Sequence, residues 1–304
     1  MIVNHRNQDE YLELLRTNKI PLGKAIGCDL DNHLRFKTGT FNIILGHANV
    51  GKTYWLLFYL LCLSAKHDHK HLIYSAENSV QGIKRNLFEL YMGKKVGTFT
   101  PQELETAKAF IELHFDFIDT QKAWTIEDFM KETQKLGSYD TLMIDPHNSF
   151  LRPRGFNAHD YDYEMATKLR LFCKATKTSI YLCIHAATEA LRKTHRDGDY
   201  EGHPMPPTMA DAEGGGKWGN RADDFIVIHR YVADKFNWMY THIHVKKVKE
   251  TETGGSPTLM NEPIRFKLEN GTGFSCAGIN PIAKHEVKIK PLEANKEFDD
   301  GLPF

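Results

Sequence analysis

The chain has 304 residues, 41% of them hydrophobic and 26% charged, which is the composition of an ordinary globular protein with a sizeable core. Its 39 basic and 39 acidic residues cancel, which excludes a protein that coats nucleic acid with its whole surface but allows one that grips DNA with a few loops. The five scattered cysteines suit core residues in a reducing compartment, no cleavable signal opens the chain, and no apolar run approaches the ~20 residues of a membrane span. We therefore expect a cytoplasmic protein with no membrane partner.

Residues 1–22 are predicted to form an N-terminal arm ahead of the main domain. Residues Asp9 to Asn18 have a short helical pattern that ends before Pro21, with four apolar residues on one side. Periodicity does not name the surface that covers those residues. The helix could pack on its own domain or dock on a neighbouring subunit, and both interpretations remain open.

A phosphate-binding loop follows the first strong strand signal. Phe41 to Leu45 predict a short buried strand, and the next eight residues fit the pattern G-x-x-x-x-G-K-[ST] without a mismatch. An apolar run of helix length begins at Tyr54, which is the context that the motif requires. Backbone N–H groups of such a loop point at phosphate oxygens, and the following helix adds its positive N-terminal end. We predict that ATP and Mg²⁺ are bound by Gly46, His47, Ala48, Asn49, Val50, Gly51, Lys52, Thr53 and Tyr54.

Two later strands end on acidic residues. A solvated turn at 67–71 leads into the strand Leu72 to Ser75, and Glu77 comes just after it. Glu77 could activate water for attack on a γ-phosphate, or it could be an ordinary charge favoured by the N-terminus of the next helix. The strand from Tyr139 closes on Asp145 in the form of a Walker B element, whose Asp orders the Mg²⁺ water shell opposite Thr53.

Strands and helices alternate through the first half of the chain, which predicts an α/β fold with a mostly parallel, doubly wound sheet and antiparallel edge strands. One further strand ends at His185, which could sense a γ-phosphate or be an unremarkable histidine. The Gly- and Pro-rich segment 186–222 suits contact with a phosphate backbone, or is a disordered surface loop. We place the main domain at residues 23–280 and a flexible acidic tail at 281–304.

With these motifs in order, the chain resembles the RecA-like core of DnaB-type hexameric replicative helicases, most of all the phage primase-helicase and mitochondrial Twinkle branch. The resemblance covers roughly Leu22 to Phe274. It rests on the phosphate loop, Ser75-Ala-Glu77, Leu142 to Asp145, the strand ending in His185, Gly216 to Asp224, and Lys247-Val-Lys249. It implies a homohexameric ring that hydrolyses ATP at subunit interfaces while it moves along single-stranded DNA during replication.

The resemblance also implies a role for each matching residue. The catalytic set would be Lys52, Glu77 as base, His185 as phosphate sensor, and Lys249. Asp145 and Thr53 would hold the metal. The DNA-binding residues would be Gly214, Gly215, Gly216 and Lys217, with Arg152 and Arg154 as further candidates.

One position departs from the family pattern. Lys249 stands where the family has an arginine that reaches into the next subunit's site, and lysine lacks the planar fork of arginine. Either Lys249 serves with reduced hydrolysis, or another group such as Arg230 supplies the charge, or the finger is lost. Two weaker readings therefore stay open, a DNA-binding ATPase that acts as recombination mediator or helicase loader, and a nucleotide-gated adaptor.

The C-terminal residues carry a second resemblance, to the acidic tip of bacterial single-stranded-DNA-binding proteins. A terminal aromatic residue with its own carboxylate can enter an apolar pocket rimmed by basic groups, and the preceding aspartates add long-range attraction. We expect this tip to dock replication or repair proteins, such as a polymerase or primase, through Asp299, Asp300, Leu302, Pro303 and Phe304. The size of the chain leads us to expect a phage or mobile-element protein that works in a bacterial host.

Overall fold

The computed structural model describes residues 6–155 and 157–282. Nine strands and eight α-helices alternate within those ranges, joined by short 3₁₀ turns. The helices are α1 (Arg6–Arg16), α2 (Lys52–His67), α3 (Val80–Met92), α4 (Pro101–His114), α5 (Ile126–Lys135), α6 (Ala158–Thr176), α7 (Lys217–Arg221) and α8 (Thr251–Gly254). The strands are β1 (Phe41–Gly46), β2 (His71–Ser75), β3 (Phe115–Phe117), β4 (Thr141–Asp145), β5 (Ser179–His185), β6 (Asp224–His229), β7 (Tyr240–Val248), β8 (Ile264–Glu269) and β9 (Gly273–Cys276).

All nine strands form one sheet in the order β3-β2-β4-β5-β1-β6-β7-β8-β9. The pairs from β3 to β6 are parallel, and β7, β8 and β9 extend the sheet with antiparallel pairs. The predicted fold class is confirmed, including the antiparallel strands at one edge. Since the carboxyl ends of parallel strands share one edge of a sheet, residues that follow β1, β2, β4 and β5 lie close together there.

The sheet is buried between two layers of helices. Along β1, Ile44 packs into the layer that contains α2, whereas Phe41, Ile43 and Leu45 pack against α5 and α6 on the other face. α2 is apolar all round, and its residues 55–64 are buried, as expected for a helix at the centre of a domain. All five cysteines are buried and unpaired, which agrees with their interpretation as core residues.

Helix α1 does not pack into either core. Its apolar residues Tyr11, Leu12 and Leu14 are exposed, and Leu15 is only half-buried. Of the two interpretations open from sequence, packing on its own domain finds no support among the described residues. The apolar side of α1 is left for another surface.

The turn at 67–71 corrects the sequence analysis, which predicted a solvated loop. His69 and His71 are 1% and 0% exposed. His71 lies within hydrogen-bonding distance of Thr141 Oγ1, at 2.6 Å, and of Ser64 Oγ, at 2.9 Å, so the neighbouring strand and helix satisfy both ring nitrogens. Burial lowers the pKa of His71, which stays neutral in the core.

The segment 186–222 is more ordered than either a disordered loop or a simple phosphate-contacting loop. It contains 3₁₀ turns, isolated bridges that join Thr194 to Pro204 and Ala186 to Ala212, and the short helix α7. Trp218, at 0% exposure, anchors α7 in the core and donates its indole N–H to the Glu213 carbonyl at 2.8 Å.

Candidate functional site

The phosphate loop connects β1 to α2 at the carboxyl edge of the sheet. Asn49 and Gly51 take left-handed backbone angles, with φ of 60° and 87°, and α2 begins at the next residue, Lys52. Gly46 is required by space, because a Cβ there would lie 2.5 Å from the carbonyl oxygen of Ile228. The loop thus has the curled geometry that the motif predicts, with its N–H groups around the start of a helix.

Lys52 lies inside this loop. Its ammonium donates to the carbonyl oxygens of Gly46 and His47, at 3.1 and 2.8 Å, and lies 3.3 Å from His185 Nδ1. The side chain is 6% exposed, and burial lowers its pKa. A phosphate that enters the loop would meet a positive charge already enclosed by backbone.

A hydroxyl and a carboxylate meet beside the loop. Thr53 Oγ1 donates to Asp145 Oδ2 at 2.6 Å, and Asp145 is 1% exposed. Its Oδ1 is buried without a hydrogen-bond partner, and burial raises the pKa of the carboxyl group. A hard oxygen donor with an unused lone pair next to a threonine hydroxyl fits the ligand preference of Mg²⁺, which usually takes one or two carboxylates and completes its shell with water and phosphate. The described residues hold no cluster of three His, Cys, Asp or Glu side chains arranged for a metal, so an all-protein site is not formed there.

Glu77 and His185 come together across the crevice. His185 Nε2 lies 3.0 Å from Glu77 Oε1, while the other ring nitrogen faces Lys52. The Glu77 side chain is 49% exposed and the His185 side chain 24%, so water reaches both. The sequence left each residue with a bland alternative, and their contact with one another and with the loop lysine favours the shared, functional interpretation.

The finger candidates lie at opposite ends of the sheet. The guanidinium of Arg230 lies beside the loop of its own chain, since a Cβ on Gly51 would be 3.9 Å from Nη1. Lys249 follows β7, which runs antiparallel to β6. In register, Asn42 pairs with Asp224 and Asp224 with Val248, which places Lys249 at the amino end of β1, about 13 Å of strand from the loop. Lys249 is therefore on the wrong edge to serve its own chain's site.

The candidate DNA-binding residues differ in accessibility. Gly214 and Gly216 are exposed, Gly215 is half-buried, and Arg152 and Arg154 are exposed. Lys217 differs, because its side chain is 4% exposed and its ammonium is 2.9 Å from Asp162 Oδ2. In this conformation the loop offers glycine backbone to a ligand, and the charge of Lys217 is used inside the protein. The docking residues Asp299, Asp300, Leu302, Pro303 and Phe304 lie outside the described residues.

Sequence reasoning missed a cluster of charged residues at the amino edge of the sheet. Asp223 Oδ1 accepts from Arg170 Nη2 at 2.8 Å and lies 3.3 Å from Lys249 Nζ. Arg170 belongs to α6, far from the family motifs in sequence, and no spacing rule connects it to Lys249. Only the packing of α6 against the start of β6 brings them together.

Comparison with solved structures agrees with this architecture. An ATPase domain of a DnaB-like replicative helicase superposes with a TM-score of 0.71 at 11% identity, covering 90% of this chain and 99% of that one. A DnaB-like replicative helicase, described with its interactions with primase, gives 0.68 at 12% identity, covering 90% and 67%. A KaiC-like protein from the hyperthermophilic archaeon Pyrococcus horikoshii gives 0.56 at 13% identity, covering 84% and 98%.

No family model matches the sequence, and no curated protein matches it significantly. The similarity is therefore one of fold: the chain has the RecA-like fold of DnaB-type ATPase domains, as the resemblance predicts. No helix among residues 6–155 and 157–282 combines the length and the apolar character needed to cross a bilayer.

Proposed function

We propose that this chain is an ATP-driven DNA helicase that translocates on single-stranded DNA as a homohexameric ring, with ATP hydrolysed at the subunit interfaces. The observation that carries the proposal is the convergence of Lys52, Thr53, Glu77, Asp145 and His185 on one crevice at the carboxyl edge of the sheet. The RecA-like fold shared with DnaB-like helicases supports the same conclusion.

The chemistry assigned to the crevice is hydrolysis of a phosphoanhydride. The oxygen of a water molecule bonds to the γ-phosphorus while the bond to the β,γ-bridging oxygen breaks, and the bond's electron pair leaves with ADP. Glu77, half-exposed at the mouth of the crevice, takes the proton of the attacking water. Lys52 stabilises the negative charge of the phosphates, and Thr53 and Asp145 are the residues that would hold Mg²⁺. When bound, Mg²⁺ would neutralise charge on the β- and γ-phosphate oxygens.

His185 connects hydrolysis to the rest of the molecule. Its two ring nitrogens face Lys52 and Glu77, so a γ-phosphate that draws Lys52 away from the ring changes the position or tautomer of the imidazole beside the base. Loss of the phosphate reverses that change. A histidine with these two neighbours is therefore suited to report the state of the nucleotide.

Two features support assembly into a ring. The exposed apolar side of α1 needs a partner surface, and a neighbouring copy would provide one. Lys249 lies on the edge opposite its own phosphate loop, so it can reach a loop only in another copy. A head-to-tail contact that joins the two edges closes into a ring when its rotation allows.

DNA binding is assigned to the glycine loop and the exposed arginines. Gly214, Gly215 and Gly216 present accessible backbone, and Arg152 and Arg154 present free-standing charge at the surface. Such contacts bind the phosphate backbone with little sequence preference. Lys217 joins them only if its ion pair with Asp162 opens. Through residues 299–304 the ring would recruit replication or repair proteins, with several tails giving avidity.

Strand displacement tests the proposal directly. Forked duplexes with either a 5′ or a 3′ single-stranded tail are incubated with the protein, ATP and Mg²⁺, with Glu77→Gln as the matched control. We expect ATP-dependent unwinding from the 5′ tail by the wild type and none by the variant. ATP hydrolysis that DNA stimulates without any unwinding would contradict the helicase assignment.

That second outcome would favour a recombination mediator or helicase loader. The observation behind this alternative is Lys249, whose compact ammonium replaces the planar fork expected in the family motif. Hydrolysis that is indifferent to DNA would instead favour a nucleotide-gated adaptor. The geometry of Glu77 counts against the adaptor, because a scaffold needs no base beside its nucleotide.

A further inference from the structure

The amino edge of the sheet carries more positive charge than its carboxylates neutralise. Asp224 is paired with Lys37 at 2.9 Å, and both side chains are almost fully buried. Asp223 is left to face both Arg170 and Lys249, which share its Oδ1. Burial lowers the pKa of nearby Lys247, and the charges of Arg170 and Lys249 lower it further. The cluster has room for another anion.

The guanidinium of Arg170 is incompletely satisfied in this cluster. Its Nη2 donates to Asp223, but Nε is buried and has no hydrogen-bond partner. The side chain is 20% exposed, and that of Lys249 is 47% exposed. Two cations of different shape thus reach the surface side by side at one carboxylate. A guanidinium can bind phosphate with two parallel N–H bonds, which a lysine cannot do.

We infer that Arg170 supplies the guanidinium that the Lys-Val-Lys motif lacks, and that with Lys249 it binds the γ-phosphate of ATP held by a neighbouring copy of this chain. The inference rests on the proposed function, because it requires a second copy whose phosphate loop faces this edge. Asp223 holds both cations until the neighbour's nucleotide replaces it as their partner. The charge needed in the transition state has moved from strand β7 to helix α6.

In the reaction this pair would stabilise the charge that builds on the γ-phosphate oxygens as the bond to ADP breaks. Glu77 of the chain that holds the nucleotide still accepts the water proton. Arginine fingers contribute roughly 10³–10⁵-fold to the hydrolysis rate in other phosphate-loop enzymes. We expect Arg170→Ala to lower the ATPase rate about 10³-fold while the protein still binds nucleotide.

Subunit mixing tests the assignment. Arg170→Ala has an intact phosphate loop but no guanidinium to offer, whereas Lys52→Ala has the guanidinium but a dead loop. Mixed in equal amounts, the two inactive proteins should regain hydrolysis, because about one interface in four joins an intact loop to an intact Arg170. The double variant Arg170→Ala/Lys52→Ala, mixed with Arg170→Ala in the same ratio, is the matched control and should regain nothing.

Three results would overturn the inference. Wild-type hydrolysis that rises with protein concentration, combined with no recovery in the mixture, places Arg170 outside the neighbour's site while leaving the proposed function standing. Wild-type hydrolysis that is independent of concentration overturns both. Loss of affinity for single-stranded DNA in Arg170→Ala, with DNA-independent hydrolysis unchanged, assigns the cluster to DNA phosphate instead.

A purely structural role for the ion pair is separated by two more variants. Arg170→Lys keeps a charge beside Asp223 but removes the fork, so it should fold like the wild type, as circular dichroism would show, and hydrolyse as slowly as Arg170→Ala. Asp223→Asn breaks the same ion pair and leaves the guanidinium available. If Asp223→Asn loses activity as fully as Arg170→Ala, and Arg170→Lys retains it, the pair serves only to hold α6 against β6.

Discussion

A histidine buried in the antiparallel part of the sheet should make the protein's stability depend on pH. His244 on β7 is 3% exposed, and both its ring nitrogens lack hydrogen-bond partners. Burial, with the charges of Lys246 and His242, lowers its pKa to about 3. The folded state therefore keeps the ring neutral throughout the range in which an unfolded histidine, with a pKa of about 6.5, takes up a proton.

The sign and size of the effect follow from linkage. Below pH 6.5 the unfolded chain binds a proton at this position that the folded chain does not, so stability is full above pH 6.5 and falls as the pH drops toward 3. With a folded pKa of about 3, the loss between pH 7.5 and pH 5 is about 2 kcal/mol for this residue alone. His229, across the strand pair, has a pKa lowered to about 3 by burial and by neighbouring histidines and adds to the same trend.

Urea denaturation of the wild type, His244→Leu and His244→Phe at pH 5, 6 and 7.5 measures this term. Neither variant titrates at this position, so the free energy of unfolding of each, relative to the wild type, should rise by about 2 kcal/mol from pH 7.5 to pH 5. The two variants fill the site differently and serve as controls for packing, which shifts their curves without changing the pH slope. Parallel pH profiles for all three proteins would refute the reasoning.

Three further predictions concern the site, the arm and the core. Glu77→Gln should lower ATP hydrolysis by about 10²–10⁴-fold with nucleotide affinity retained, since only the base is lost; a fluorescent ATP analogue and a phosphate-release assay separate the two effects. Leu12→Ser with Leu14→Ser should weaken self-association in sedimentation velocity without changing the unfolding midpoint, because both side chains are exposed within one chain, and a lowered midpoint would show that α1 packs on its own domain. Lys37→Met should cost about 3–5 kcal/mol in urea because it leaves Asp224 buried and unpaired, whereas adding Asp224→Leu should recover most of that loss; equal losses would contradict a buried, paired charge.

The sequence predicted well where a residue's role is fixed by its position at the end of a strand. Asp145 and His185 end strands of a parallel sheet, and Glu77 follows one, so the fold alone brings them to the phosphate loop. The pattern G-x-x-x-x-G-K-[ST] carries its own backbone geometry and needs no information about distant parts of the chain. These residues could be placed before the structure was known.

Prediction failed where packing between distant segments decides the outcome. His69 and His71 look like a polar turn, and only the neighbouring strand and helices show that both are buried. Lys217 follows three glycines and looks accessible, but α6 supplies Asp162 as its partner. Arg170 has no motif of its own, and its relation to Lys249 exists only through their shared carboxylate. In each case the missing information is a contact between segments far apart in sequence.

The most direct measurement of the central claim is the rate of ATP hydrolysis per chain as a function of protein concentration, with and without single-stranded DNA. A site completed by a neighbouring copy predicts a specific activity that rises steeply with concentration, that DNA increases further, and that Lys249→Ala abolishes in a folded protein. A specific activity that is constant with concentration, unaffected by DNA and unchanged in Lys249→Ala would contradict a ring motor with shared sites.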